Sequence, residues 1–312
     1  MPEIKKLFET KKIENFWSDD FVLSSADLIA AKEGIKRVAR TEYKNETDLA
    51  RIKNSLSRHK LEFASSDKKL FETYCLYVSR DKKLAQKAKE IDPSFLIIHQ
   101  HKTFNETTDS IRSFGWLLNY PDCCVNEYIE NVLSQTNITE CRAFKKLPSK
   151  ISFLFNNQLN GLSNHSLSFH FPCSFDCQKS LKYLERVFGG VEKNSPVMAA
   201  SFRDYFKRPF LAFFDQTQSS LYVSWDKRQG FIFDGKINGK ELNYSSVIFF
   251  KTTYPEFKEE GARRELLAIQ KKIEKGNRII FNKDGFGVYK GKNLLMKREN
   301  KGPLRSYFFN FV

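Results

Sequence analysis

Four of the six cysteines in this 312-residue chain fall in two short stretches, Tyr120-Pro121-Asp122-Cys123-Cys124 and Phe169-His170-Phe171-Pro172-Cys173-Ser174-Phe175-Asp176-Cys177. Each stretch has a proline before its cysteines and an amphipathic run after them. Thiolates are soft metal ligands and nucleophiles, and two thiol pairs at two helix starts read as one centre. The centre is read as a metal site with Cys123, Cys124, Cys173 and Cys177 as ligands. An iron–sulfur cluster is the expected cofactor and zinc the alternative. A thiol or disulfide relay without metal, or four small buried cysteines, are the other readings of the same residues. Around the centre, His170, Asp122 and Asp176 are the candidate acid–base or ligand-orienting groups. Arg203, Lys207 and Arg208, a basic run soon after the second cysteine stretch, are the candidate substrate-binding residues. Two helix N-termini aimed at one small volume would favour an anionic substrate.

The elements that must position these residues can be read from periodicity. Asp122 can cap a helix whose apolar face is Val125, Tyr128, Ile129 and Val132. A second helix, with Leu181, Leu184, Val187 and Phe188 in register, is expected to end at Gly189-Gly190. If it begins at Ser174, Cys173 and Cys177 share its first turn. Ser168 to Phe171 reads as a short strand that carries His170. Cys75, on a strand, and Cys141, on a helix, read as core residues.

Residues 1–65 look mainly helical, with helix starts near Asp27 and Asp48. Residues 70–79 and 95–99 read as strands, separated by a helix over 81–91, which suggests a small parallel α/β unit. Thr107 to Leu118 reads as a helix. After about residue 206 the pattern becomes β-rich, with strands near 210–214, 221–225, 230–233 and 246–250. Asp234-Gly235 and Asn238-Gly239 read as their turns. A helix over 256–275 and three short strands complete the chain. The fold class is therefore α+β, a mixed α/β region over 1–205 followed by a smaller, basic β-rich unit over 206–312.

Composition bounds the function. The net charge is +15, and 41% of the residues are hydrophobic, enough for a sizeable core. Residues 206–312 hold 21 Lys and Arg against 11 Asp and Glu, a surplus of 10 within that total. Such a unit attracts nucleic acid or a small anion, or simply keeps a surface solvated. The N-terminal charges and the lack of a long apolar run lead to the expectation of a cytoplasmic protein with no membrane partner. No phosphate-binding loop, dinucleotide glycine fingerprint or Gly-x-Ser-x-Gly elbow is present, which disfavours ATP- and NAD-dependent chemistry by familiar folds.

Over roughly residues 110–190 the chain resembles a prokaryotic domain family of unknown function. The resemblance is carried by Tyr120-Pro121-Asp122-Cys123-Cys124, a Tyr-Pro-x-Cys-Cys motif, and Pro172-Cys173-Ser174-Phe175-Asp176-Cys177, a Pro-Cys-Ser-x-x-Cys motif. It implies that the four cysteines act as a unit and leaves the reaction open. Two functions are expected from the sequence. One is an enzyme whose cysteine centre binds or activates a small anionic substrate, with sulfur transfer as a candidate reaction. The other is a nucleic-acid-binding protein, for tRNA or DNA, with a structural zinc site.

Overall fold

The computed structural model describes residues 20–70, 72–133, 148, 150–156, 167, 172–215, 229–251, 260–301 and 304–312. The architecture is α+β, with a three-stranded and a seven-stranded sheet. The described residues divide into two compact units, one drawn from residues 1–143 and 165–202, the other from 144–164 and 203–312.

The first unit is layered around β3 (Thr73–Ser79), which lies between β1 (Ala39–Tyr43) and β2 (Glu62–Leu70). Alternation along β3 sends Leu76 and Val78 to one face and Cys75 and Tyr77 to the other, and all four are buried. Leu76 and Val78 join the core formed with α1 (Ala26–Lys32) and α2 (Glu46–Arg58), through Leu28, Ala31, Leu49, Ile52 and Leu56. Cys75 and Tyr77 join Ala85 and Ala88 of α3 (Lys82–Ile91) and Phe114 and Leu117 of α5 (Thr108–Leu117). A strand covered by helices on both faces is apolar throughout, which is why its run was legible.

Three local expectations fail here. Both ladders are antiparallel, so there is no parallel α/β unit in this sheet. Residues 95–99 lie in a helix, α4 (Pro93–Gln100), and not in a strand. Asp92 caps it by accepting from the Ser94 N–H at 2.8 Å, and Pro93 occupies its first turn. A short apolar run does not distinguish strand from helix by period, and here the cap and the proline decide. The mainly helical reading of 1–65 also missed β1 and β2. Glu62 to Leu70 is largely polar and is a strand because β3 supplies its hydrogen-bond partners.

After α6 (Asp122–Leu133) the next described helices are α7 (Gln178–Asn194) and α8 (Pro196–Phe206). The Gly189-Gly190 pair does not stop α7. A Cβ on Gly190 would stand 3.1 Å from Ile35 Cδ1 and 3.6 Å from Ile29 Cγ2, so this glycine lets α7 approach the end of α1 closely. At that crossing Glu33 accepts from Lys193 at 2.7 Å and from Asn194 at 2.9 Å, while Lys32 also bonds Asn194.

The second unit is an antiparallel sheet in the order β10-β4-β5-β6-β7-β8-β9. Its strands are β4 (Phe210–Asp215), β5 (Gln229–Asn238), β6 (Glu241–Lys251), β7 (Arg278–Asn282), β8 (Gly285–Lys290), β9 (Asn293–Glu299) and β10 (Leu304–Phe309). Helix α9 (Glu260–Lys275) lays Leu266, Ile269 and Ile273 on a core that includes Phe213, Phe231, Phe233, Ile279 and Val288. Asn238-Gly239 is a turn as expected, with Gly239 at φ +60°. Asp234-Gly235 is not a turn. It lies inside β5 at a shift of register with β6. The expected strand over 221–225 lies outside the described residues.

Candidate metal centre

Three local features bring the first cysteine pair into place. Helix α5 ends with Asn119 in the left-handed conformation at φ +60°, which Asn tolerates. The Tyr120 N–H then bonds the Gly115 carbonyl at 2.9 Å, and the Asn119 side chain donates to the Ile35 carbonyl at 2.9 Å. Pro121 starts the next helix, its carbonyl accepting from Val125 at 3.1 Å and Cys124 at 2.9 Å. The capping carbonyl therefore belongs to Pro121, and Asp122 stands one place inside the helix, exposed in its first turn. Helices α5 and α6 close on each other at Gly115, where a Cβ would come within 2.7 Å of Val125 Cγ2.

The second pair lies around the start of α7. That helix begins at Gln178 with Cys177 as its N-cap, so Cys173 precedes the helix and does not share its first turn. The Cys177 N–H bonds the Ser174 carbonyl at 3.1 Å, a tight turn that swings the two sulfurs toward each other.

The result is a single cluster. One sulfur from each of Cys123, Cys124, Cys173 and Cys177 lies within 4.8 Å of all the others, a group that could hold a metal ion. Cys123 Sγ is 3.9 Å from Cys124 Sγ and 3.7 Å from Cys177 Sγ, and Cys124 Sγ is 3.9 Å from Cys177 Sγ. Four thiolates at 2.3 Å around one tetrahedral ion stand about 3.8 Å apart. Cys124 is buried, while the other three are half-buried.

Two polar groups point at the buried sulfur of Cys124. The Cys173 N–H points at Cys124 Sγ at 3.3 Å, and the wholly buried Ser180 hydroxyl lies 3.0 Å from the same atom. Without a cation, burial drives the Cys124 thiol well above its usual range and Cys173 up to about 12, the latter raised further by Cys177. Burial also acts upward on Cys177, but hydrogen bonds with Ser180, Cys173 and Cys123 bring it down to about 7.

The other sequence candidates fare differently. Asp176 is exposed and its carboxylate accepts from the Ser174 hydroxyl. His170 and Cys141 lie outside the described residues. Arg203, Lys207 and Arg208 belong to the second unit. There Arg208 pairs with Asp204 at 3.1 Å, and the Lys207 ammonium lies 5.2 Å from the Phe153 ring. Cys75 is a core residue, its sulfur accepting from Arg40 Nη2 at 3.0 Å, with burial raising its thiol to about 11.

Sequence reading missed a cleft of about 490 Å³ whose lining includes Asp122, the residue before Cys123, and Lys179, two residues after Cys177. Arg37, Trp116, Tyr120, Lys179, Lys182 and Arg186 line it, and Asp122 is its one carboxylate. Lys179, Lys182 and Arg186 follow at i, i+3 and i+7, one face of α7. The signal was present in the sequence, on the side of the helix opposite the apolar stripe that drew attention.

Among the described residues, no helix is long and apolar enough to cross a membrane. No curated protein and no solved structure matches the chain. In keeping with the resemblance noted from its motifs, a family model described as a protein of unknown function (DUF483) matches residues 78–195, which run from the end of β3 through all four cysteines to the residue after α7.

Proposed function

We propose that this chain binds nucleic acid, with Cys123, Cys124, Cys173 and Cys177 holding one structural zinc ion that clips the start of α6 to the start of α7. The observation that carries the reading is the cationic cleft whose lining includes residues next to the clip's cysteines in sequence. Arg37, Lys179, Lys182 and Arg186 face a single carboxylate there, in a chain of net charge +15. The metal assignment rests on the sulfur spacing. A cubane spreads its thiolates over separate irons and holds them farther apart than one ion does, whereas separations of 3.7 to 3.9 Å among Cys123, Cys124 and Cys177, with Cys173 within 4.8 Å of all three, favour one tetrahedral ion. Four protein sulfurs leave that ion no open position, the mark of a structural zinc site.

The catalytic reading uses the same thiols around an iron–sulfur cluster that would activate a small anionic substrate, with sulfur transfer as the reaction. The two readings differ in what the purified protein contains. Elemental analysis and visible absorption should give one zinc per chain and a colourless sample. Brown protein with iron and sulfide would overturn the zinc assignment and favour the catalytic reading. Affinity for tRNA and duplex DNA at two salt concentrations tests the binding itself. It should fall steeply with salt as phosphate contacts release counterions. No binding at low salt would end the nucleic-acid reading.

A further inference from the structure

The cleft beside the cysteine cluster combines three features that a purely solvated surface does not need. The first is a row of cations with no ion-pair partner among the described residues. Lys179, Lys182 and Arg186 are exposed on one face of α7, and among the described residues none of them meets a carboxylate. Over seven residues the row is about 10 Å long. Two other cations of the first unit are paired, Lys89 with Asp67 and Lys193 with Glu33, both at 2.7 Å, whereas this row lines a cleft unpaired among the described residues.

The second feature is an exposed indole. Trp116 keeps 51% of its surface accessible, the largest ring so exposed among the described residues. One face of the ring is covered by a neighbour that is itself anchored. The Arg37 guanidinium sits 4.1 Å from the ring centroid, and Arg37 Nη1 is itself held by the Trp116 carbonyl at 3.0 Å and by the Asn119 side chain. An aromatic surface in water that is held in one orientation is a stacking platform.

The third feature is concavity. The volume of about 490 Å³ falls within the range of a bound small molecule or one nucleotide unit. Tyr120, half-buried in its lining, is edge-on to Tyr183 at 6.3 Å. A duplex keeps its bases stacked on one another and offers neither faces to an indole nor a single nucleotide to a cleft of this size.

We infer that this cleft holds a single-stranded segment of nucleic acid, one base stacked on Trp116 and its phosphates along Lys179, Lys182 and Arg186. This rests on the nucleic-acid reading above and adds the surface and the mode. The basic second unit is then not the principal contact. Because RNA and DNA share the base and phosphate chemistry used here, the test carries both.

The experiment is a fluorescence-anisotropy titration of the full chain with labelled oligo-uridylate, oligo-thymidylate and a hairpin duplex, with free UMP as competitor. Trp116→Ala, the pair Lys182→Glu with Arg186→Glu, and Lys272→Glu on α9 are compared with the natural chain. Zinc content and circular dichroism confirm that each variant is folded. Single strands are expected to bind more tightly than the duplex. Trp116→Ala should weaken single-strand binding on the order of tenfold. The charge-reversed pair should weaken it at least as much and flatten the logarithmic salt slope by about 1.4. Lys272→Glu should change little, and UMP should compete only at far higher concentration. If the natural chain binds but the cleft variants bind as well as it does, the cleft is not the site, although the nucleic-acid reading survives. Equal affinity for duplex overturns the stacking mode. UMP competing as well as the oligonucleotide overturns the strand in favour of a free nucleotide. No binding of any oligonucleotide at low salt overturns both the inference and the reading beneath it.

Discussion

At the scale of single residues, the four site cysteines should behave as one and Cys75 as a stranger to them. Each of the site sulfurs lies within 4.8 Å of the other three, so three thiolates cannot close a tetrahedron that four define. On the zinc reading, Cys→Ser at 123, 124, 173 or 177 should each remove most of the metal, measured by elemental analysis of dialysed protein. Cys75→Ala should retain it and lose on the order of 1 kcal/mol of stability, since Arg40 gives up one acceptor. Equal zinc in all five variants would contradict the shared site. A second residue-scale outcome concerns Glu33. Hydrogen bonds from Lys193 and Asn194, with Lys32 adding to them, hold its carboxyl down to about 2. A carboxylate depressed in the folded state stabilises it above the unfolded value, and that stabilisation fades as pH falls toward 2. Between about pH 4.5 and 2, Glu33→Gln should therefore show a shallower acid loss of stability than the natural chain, in urea titrations at stepped pH.

At the scale of elements, the contact of α5 with α6 depends on the missing side chain at Gly115. A methyl placed 2.7 Å from Val125 Cγ2 must push one helix aside. Gly115→Ala should cost about 1 to 3 kcal/mol, and adding Val125→Ala should return part of it. If the double variant is no better than the single one, the clash is not the cause. The same elements show what the sequence could and could not tell. Helices α5 and α6, and the run of α7 up to Phe188, were legible because apolar spacing and turn residues agreed. Helix α4 was misread because four consecutive apolar residues carry no period. The polar strand β2 exists because β3 needs a neighbour, a tertiary cause that leaves no local mark. The continuation of α7 through two glycines follows from the closeness of Ile35 to Gly190, which only the fold displays. The cysteine cluster was visible from residue type and spacing. The cleft was not, because Arg37 and Trp116 are brought to α7 from parts of the chain far away in sequence.

At the scale of the whole molecule, each unit has a core of its own, and the cysteines belong to one of them. Metal removal should therefore act on one transition and spare the other. In calorimetry, a chelator should lower the midpoint of the first unit on the order of 10 °C, the shift that about 3 kcal/mol produces in a unit of this size. The transition of the seven-stranded sheet should stay in place. A joint shift of both transitions would mean that the units unfold together.

Lys36 offers a clock on that first unit. Its side chain is wholly buried, its ammonium bonded to Asp27 at 2.7 Å and lying 5.0 Å from the ring of Tyr120, the residue before the turn that delivers Cys123. No reagent reaches that amine while the fold is closed, whereas Lys179 and Lys182 stand in solvent. Pulsed acylation followed by peptide mass spectrometry should thus modify the exposed pair at once and Lys36 only at the frequency with which the unit breathes. Its labelling half-life, taken with and without a chelator, counts those openings directly.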